Sequence, residues 1–196
     1  MLNLAPWYYR NLLGPNEIIE APEFYKVELQ DGELFYESNV VLKEVHRPKW
    51  LEKSSLYKDC DGSGASEFKN IAVYKAISEA LERMAFYYSV DSKKFGFDVN
   101  PSTTGMAAIP HFRKIHARKY SMLEAVERLG IHLFNSSKLR VNEVAGNDEI
   151  KHFILDLNLN KVIVSILVSK YKNNYIYGFA GGYSLEQSYQ KALIEL

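Results

Sequence analysis

Residues 62–83 read Gly62-Ser-Gly-Ala-Ser-Glu-Phe-Lys-Asn-Ile-Ala-Val-Tyr-Lys-Ala-Ile-Ser-Glu-Ala-Leu-Glu-Arg83, and this stretch decides how the rest of the chain is interpreted. The glycine-containing segment Asp61–Gly64 predicts a turn, and the apolar residues after it recur with the period of an α-helix. Ser66 is the predicted N-cap of this helix, which we expect to run to about Tyr88. The stripe expected to face the core comprises Val73, Ile77, Ala80, Leu81 and Met84.

Glu79 and Arg83 lie one turn apart on a flank of this helix that also carries small and aromatic side chains. We therefore expect the two charges to be partly buried, and buried charges need partners. A simple i,i+4 pair that stabilises the helix by about 0.3–0.5 kcal/mol is one explanation. A site in which carboxylates bind Mg²⁺ and guanidinium groups bind phosphate is the other. The residues alone leave both open.

Nearly the same residues recur in Met122-Leu-Glu124-Ala-Val-Glu-Arg128-Leu129. This second helix, expected from Pro110 to Leu129, follows a second glycine segment at 102–108. Its predicted apolar stripe comprises Phe112, Ile115, Met122, Val126 and Leu129. A third glycine loop, Ala180–Gly182, precedes a helix expected over 184–196 that contains Glu195. Repetition of loop and helix is the most informative feature of the chain.

The remaining segments have the alternation and turn residues of β-strands. Asp31-Gly32 separates two strands at 24–29 and 34–36 and predicts a hairpin. Runs at 153–157, 162–168 and 175–177 predict an antiparallel meander. We therefore predict an α+β fold, a two-layer sandwich of antiparallel strands with the long helices packed on one face. Residues 1–55 are expected to form an N-terminal β-hairpin region and 56–196 a nucleotide-binding domain.

Composition narrows the class of partner. The 24 basic side chains balance 24 acidic ones, which argues against a general nucleic-acid binder but allows a local cationic pocket. The single cysteine, Cys60, suits a reducing cytosol, and no segment resembles a signal peptide or reaches the about 18 apolar residues of a membrane span. We expect a cytoplasmic protein that binds neither nucleic acid nor membrane.

The run 62–83 resembles the first nucleotide motif of the YcaO family. Ser102-Thr-Thr-Gly-Met-Ala-Ala108, followed by Ser121–Arg128, resembles the second motif, and Gly178–Glu195 resembles the segment that precedes the third. The resemblance spans roughly residues 60–196 in the family's order. It implies an enzyme that uses ATP and Mg²⁺ to activate a peptide backbone amide, through phosphorylation of the amide oxygen, and yields an azoline, amidine or thioamide.

The resemblance also implies roles for individual residues. Glu79 and Glu124, together with Glu82 and Glu127, would bind Mg²⁺ in the phosphate region. Residues that would contact the nucleotide are Ser63, Lys75, Glu79, Arg83, Ser121, Glu124 and Arg128. The resemblance assigns no catalytic nucleophile. Ser63 stands where the family usually has lysine, Lys75 where it has serine, and Glu127 where it often has glutamine.

The third motif is incomplete, because the family's pattern continues beyond Glu195. Three interpretations follow. The chain is a truncated or split member completed by a second polypeptide, a degenerate scaffold subunit without chemistry of its own, or a small enzyme completed by a second copy in a homodimer. A peptide or protein substrate is the expected partner of the first and third.

Overall fold

The computed structural model describes residues 18–28, 34–49, 60–91, 114–138, 140–146, 149–155, 157 and 161–196. The chain divides into two compact units, Met1–Arg118 and Lys119–Leu196. Each unit has its own sheet, and each is described by itself. The predicted domain boundary near residue 55 falls among residues 50–59, outside the described ranges, and stays a prediction.

The first unit contains a three-stranded antiparallel sheet of β1 (Glu23–Glu28), β2 (Leu34–Val40) and β3 (Gly62–Ser66), in that order. Glu28 pairs with Leu34, so the predicted hairpin between β1 and β2 is confirmed. The turn residues Asp31 and Gly32 themselves lie outside the described residues. Helix α1 (Lys69–Asp91) follows β3 and packs across the sheet.

The predicted turn at Asp61–Gly64 is wrong, because Gly62–Ser66 forms β3 and pairs with β2. These glycines serve close packing instead. A Cβ atom on Gly62 would lie 2.1 Å from the carbonyl oxygen of Ala76 in α1, a distance that no side chain tolerates. The predicted N-cap at Ser66 is also wrong, since Ser66 ends β3 and α1 begins three residues later.

The apolar stripe predicted for α1 is confirmed. Ile77 and Ala80 are fully buried, and the other three members of the stripe pack against the same core. The buried residues of this core are Ile19, Val40, Leu42, Ala76, Ile77, Ala80, Phe86 and Tyr87. Burial of an aliphatic or aromatic side chain contributes about 1.5–3 kcal/mol to stability, so α1 is held to the sheet mainly by this face.

The second unit contains the predicted meander with one strand more. Its sheet runs in the order β4 (Val141–Gly146), β5 (Ile150–Leu155), β6 (Ile163–Tyr171) and β7 (Asn174–Gly182), all antiparallel. β4 was not predicted. The predicted glycine loop at Ala180–Gly182 is wrong, because these residues end β7. The C-terminal helix α3 (Leu185–Glu195) is confirmed and is capped by the Ser184 hydroxyl, which accepts from the Gln187 N–H.

Helix α2 (Lys114–Asn135) packs on one face of this sheet, where Val126 and Phe134 contact a core of Leu155, Val164 and Ile166. The short helix α3 packs on the other face, where Ala192 joins Leu167 and Ala180. The α+β class, with antiparallel strands and helices layered on them, is confirmed.

The apolar stripe predicted for α2 is only partly correct, because Val126 packs on the core but three other members do not. Ile115, Met122 and Leu129 are 71%, 58% and 49% exposed, whereas Leu123 and Gly130 are buried. Gly130 lets the helix approach the sheet, where a Cβ atom would meet Leu155 at 3.0 Å. Phe112 lies outside the described residues. Within the described ranges, no helix combines the length and apolar character needed to cross a membrane.

Candidate functional site

Glu79 is the centre of a hydrogen-bonded network that joins α1 to β3. Its Oε2 accepts from the backbone N–H of Ser63 at 2.7 Å and from the Ser63 hydroxyl at 3.1 Å. Its Oε1 accepts from Nη2 of Arg83 at 2.5 Å, and Nη1 of Arg83 donates to the Cys60 carbonyl at 3.2 Å. The Arg83 and Glu79 side chains are 11% and 31% exposed, so the partial burial expected of this pair is confirmed.

The network brings together Ser63, Glu79 and Arg83, three of the residues proposed from the sequence to contact a nucleotide. A carboxylate oxygen offers about two lone pairs. The N–H and the hydroxyl of Ser63 occupy both lone pairs of Oε2. Arg83 occupies one lone pair of Oε1, and the second lone pair of Oε1 is left. The arrangement can therefore offer one carboxylate lone pair to a cation and one guanidinium to an anion, with the backbone of β3 fixing both.

Asp61, next to this network, was missed by the sequence analysis. It is completely buried, and its Oδ2 accepts from the Leu42 N–H at 2.8 Å and pairs with Nε of Arg47 at 3.1 Å. Its Oδ1 accepts from the Tyr87 hydroxyl at 3.1 Å. Because these partners come from three segments, Asp61 fixes the start of β3 against both α1 and the chain after β2. No local pattern indicates such a group, since its partners are 14 to 26 residues away.

Cys60 precedes Asp61 and is partly buried. Burial raises the pKa of the Cys60 thiol, and the charge of Arg83 only partly opposes that shift. A thiol with a raised pKa carries little thiolate at neutral pH and is a poor nucleophile. Cys60 therefore serves the site through its backbone carbonyl, which holds Arg83.

Lys75 and Glu82 are the other candidates on α1. Lys75 is exposed, as expected, but its Nζ reaches back to donate to the Ala65 carbonyl at 2.7 Å. Glu82 is half-buried. Lys75 thus lies along the last residues of β3, on the same strand that holds Glu79 through Ser63.

The second unit carries the remaining predicted residues, all on α2. Glu124 and Arg128 are 4.0 Å apart and 28% and 56% exposed, so this pair is a loose surface contact of little energetic weight. Ser121 is half-buried one turn before Glu124. The glycine segment 102–108, which resembles part of the second motif, lies outside the described residues.

Glu127 is held differently from Glu124. Its Oε2 accepts from the Gly181 N–H at 2.8 Å, and Nζ of Lys191 donates to the Gly181 carbonyl at 3.4 Å. Burial raises the pKa of the Glu127 carboxyl and lowers the pKa of the Lys191 ammonium. Both shifts favour the neutral forms, so Glu127 is tied to the end of β7 in a poorly solvated place.

The two units contain the same strand–helix arrangement. We call β3 with α1 the first crossing and β7 with α3 the second. Gly62 approaches Ala76 as Gly178 approaches Ala192, where a Cβ atom would lie 2.0 Å from the carbonyl oxygen. Lys75 bonds the carbonyl of Ala65 as Lys191 bonds that of Gly181. Every counterpart is 116 residues further along the chain, an offset that also relates Glu79 to Glu195. The first and third members of the predicted repeat are therefore equivalent, as strand–helix units and not as loop–helix units, and the segment before the second member lies outside the described residues.

A second buried polar cluster lies between β5, β6 and α3. Nε2 of His152 is 2.9 Å from the Ser165 hydroxyl, which is 2.7 Å from the Ser188 hydroxyl. All three contacts are satisfied by a chain in which His152 donates from Nε2 to Ser165, Ser165 donates to Ser188, and Ser188 donates to the Leu185 carbonyl. Burial lowers the pKa of His152, which favours the neutral ring in this tautomer. The sequence analysis gave these residues no role.

The metal-ligand assignment to Glu79, Glu82, Glu124 and Glu127 stays a prediction. Glu79 and Glu82 belong to the first unit, and Glu124 and Glu127 to the second. Among the residues that the structure describes, no group of three or more His, Cys, Asp or Glu side chains is arranged to hold a metal ion. Oxygen donors suit Mg²⁺, which commonly uses only one or two protein carboxylates together with phosphate and water.

The strand–helix repeat, with its glutamate and arginine held at a sheet edge, defines an α+β fold that can be compared with solved structures. The structure of YcaO from Methanopyrus kandleri, bound with AMPPCP and Mg²⁺, has this fold: the TM-score is 0.68 at 15% identity. The similarity covers 97% of this chain and 64% of that chain, so this chain spans less than two thirds of the other. No protein-family model matches, and no curated protein sequence matches. The chain therefore has a YcaO-like fold.

Proposed function

We propose that this chain binds ATP with Mg²⁺ and contributes to the activation of a peptide backbone amide, as a relative of YcaO proteins. The observation that carries the proposal is the network in which β3 holds Glu79 and Arg83 side by side. The solved structure with the same fold contains a nucleotide analogue and Mg²⁺. The motif resemblance of residues 62–83 and 121–128 supports the same conclusion.

The proposed chemistry needs charge stabilisation more than it needs a nucleophile from the protein. A Cys, Ser or Thr side chain of the peptide, or an external nucleophile, attacks the amide carbonyl, and the γ-phosphate of ATP passes to the amide oxygen. Loss of phosphate then leaves the azoline, amidine or thioamide. Arg83, with Ser63 and Lys75, would bind phosphate oxygens, and Mg²⁺ would offset their charge. On α2, the motif resemblance assigns nucleotide contacts to Ser121, Glu124 and Arg128 as well.

A non-catalytic scaffold subunit is the second candidate, and one observation favours it. Glu79 already accepts three hydrogen bonds from Ser63 and Arg83, so a metal ion would compete with contacts that stabilise the first crossing. Ser63 also stands where the family usually has a cation. In this alternative the same network holds α1 on β3, and the chain binds a partner protein of a modification complex.

Calorimetric titration with AMPPCP, with and without Mg²⁺, separates the two candidates. The nucleotide proposal predicts Mg²⁺-dependent binding that Glu79→Gln weakens at least about tenfold, because the neutral amide removes the carboxylate charge that would bind Mg²⁺. Glu67→Gln is the matched control: Glu67 is an exposed acid just after β3 and should leave binding unchanged. Absence of nucleotide binding in wild type that is folded by circular dichroism would leave the scaffold candidate standing.

A further inference from the structure

The edge strand β7 presents backbone hydrogen-bonding groups away from its sheet. Gly181 donates to Glu127 and not to β6, so the pair Val164–Gly181 is one of the pairs without mutual hydrogen bonds. Such pairs alternate in an antiparallel ladder. The unbroken register therefore makes Val168–Tyr177 and Lys170–Tyr175 pairs of the same kind. The N–H and C=O groups of Tyr175 and Tyr177 accordingly point outward from the edge.

This outward edge is covered at one end only. At Gly181 the N–H is bonded by Glu127 and the carbonyl by Lys191. Among the described residues, β6 is the only strand paired with β7, and no side chain bonds the outward groups of Tyr175 or Tyr177. Tyr175 and Tyr177 are 63% and 49% exposed. The open part of the edge is thus the half of β7 nearest the β6–β7 turn.

Aromatic side chains accompany the open edge. The Tyr177 ring stacks on Phe179 with centroids 6.2 Å apart, and Phe179 in turn packs against Phe134 of α2. Tyr175, Tyr177 and Phe179 alternate along β7 and share one face. An added strand would find a rigid aromatic row beside its own side chains, anchored in the core at the Phe179 end.

Among the strands of this sheet, the residues around the open half of the edge carry only positive charge, and the acidic Glu127 of α2 lies at the bonded end, at Gly181. Residues 163–185, which include β6, its turn and β7, contain Lys170 and Lys172 and no acidic residue. Lys151, exposed on β5, lies opposite Val168 and so on the face of Tyr177. The acidic residues of this sheet within the described ranges, Glu143 on β4 and Glu149 beside β5, are separated from β7 by β6. An anionic partner is therefore favoured.

We propose that the open edge of β7 docks an extended, acidic peptide segment of another chain by adding it as a further strand. Main-chain hydrogen bonds to Tyr175 and Tyr177 would supply the geometry, as in other cases of strand addition. The lysines would select acidic side chains, and the tyrosines would contact apolar ones. That this segment belongs to the peptide being modified rests on the proposed function; the docking itself needs no nucleotide.

The first test uses short labelled peptides and the whole chain without ATP. A fluorescent peptide of about six residues, with glutamate and valine on the odd positions and threonine on the even ones, should raise anisotropy on binding, and the same peptide with lysine in place of glutamate should not. Two versions of the acidic peptide carry N-methyl groups on alternate amides, one on the odd set and one on the even set. One of them should lose binding, since only alternate amides face β7, and the other should keep it.

Variants of β7 give an independent test. Tyr177→Pro and Tyr177→Ala both remove the ring, but only proline removes the outward N–H, and that N–H is not used by the sheet. Proline should therefore weaken peptide binding well beyond alanine, with both variants folded by circular dichroism. Lys170→Glu with Lys172→Glu should weaken binding about tenfold at low salt.

Several results would overturn the proposal. These are equal binding of both N-methylated peptides, equal binding of the lysine peptide, and the absence of binding by any acidic peptide. Sedimentation of the chain as a dimer that Tyr177→Pro dissociates would assign the edge to a second copy instead. None of these outcomes bears on nucleotide binding, which the calorimetry measures separately.

Discussion

Two tyrosine–carboxylate hydrogen bonds in the first unit allow a sharp test of how burial sets the strength of a contact. Tyr87 donates to Asp61 at 3.1 Å, with both residues buried. Tyr25 donates to Glu23 at 2.8 Å, with both exposed. Distance alone would make the second bond the stronger. Solvent exposure reverses that order, because water replaces the partner of an exposed group and cannot reach a buried one.

Replacement of each tyrosine by phenylalanine removes only the hydroxyl. Tyr87→Phe should lower the free energy of unfolding by about 2 kcal/mol, the value for a hydrogen bond to a charged group, because Asp61 keeps its burial and loses one donor. Tyr25→Phe should leave stability unchanged within error. The measurement is urea unfolding followed by circular dichroism, with hydrogen exchange of α1 to locate the effect. Equal losses in the two variants, or a larger loss for Tyr25→Phe, would refute the reasoning.

The pH dependence of the same pair provides a second readout. Burial, and then the charge of Asp61, raise the pKa of Tyr87 above its ordinary value of 10.0. The folded state therefore favours the neutral phenol. This stabilisation is complete below pH 10.0 and is lost as the pH rises through the folded-state pKa. Tyr87→Phe should remove that alkaline loss while it lowers stability at neutral pH.

Three further predictions concern the second unit. Glu127→Gln should keep the contact with the Gly181 N–H and should leave stability at pH 7 unchanged or higher, since burial raises the pKa of Glu127. Glu127→Ala loses this contact and should lower stability by about 1–3 kcal/mol. Equal losses of the two variants in thermal unfolding would contradict this. By ¹⁵N NMR, the neutral His152 ring should carry its proton on Nε2 and should titrate below 6.5. Its contribution to stability is therefore present above that pH and is lost as the pH falls. Titration at or above 6.5 would exclude the assigned hydrogen-bond chain. Gly178→Ala should destabilise the second unit by more than about 3 kcal/mol, because the added Cβ meets backbone atoms. Gly146→Ala is the milder control, since the atom nearest to its added Cβ is 3.2 Å away. Similar melting temperatures of the two variants would contradict the packing argument.

The helices and their charged flank could be read from the sequence because both depend on local spacing. The period of Ile77 and Ala80 places α1 on the core, and the four-residue step places Glu79 beside Arg83. The meander was predictable for the same reason, since β5, β6 and β7 are short runs rich in β-branched and aromatic residues with polar residues between them.

The glycine segments were misjudged because glycine has two uses that a sequence does not distinguish. Gly62 and Gly182 were taken as parts of loops, yet both lie in strands where a helix backbone leaves no room for Cβ. The buried face of α2 was misjudged for a related reason. In a sequence, Gly130 interrupts the apolar stripe of α2, but in the structure it is where α2 comes close to the sheet.

Groups that depend on distant partners were invisible to the sequence. Asp61 draws its partners from three segments, and Ser165 links a strand to α3 through a hydroxyl. The shared Mg²⁺ role that the motif resemblance implies for Glu79 and Glu124 stays a prediction for the same reason. Nothing in local spacing could decide it, since the two glutamates belong to different units.

The two crossings differ at one informative position. Where the first has Ser63, the second has Phe179, whose ring lies 6.5 Å from that of Phe134. A phenyl ring cannot donate to a carboxylate, so the hydroxyl contact made to Glu79 has no counterpart at Glu195. The two versions of this building block therefore differ in what they can exchange: the alcohol can trade its carboxylate partner for water or another polar group, whereas the hydrocarbon can only pack, and it fastens β7 to α2.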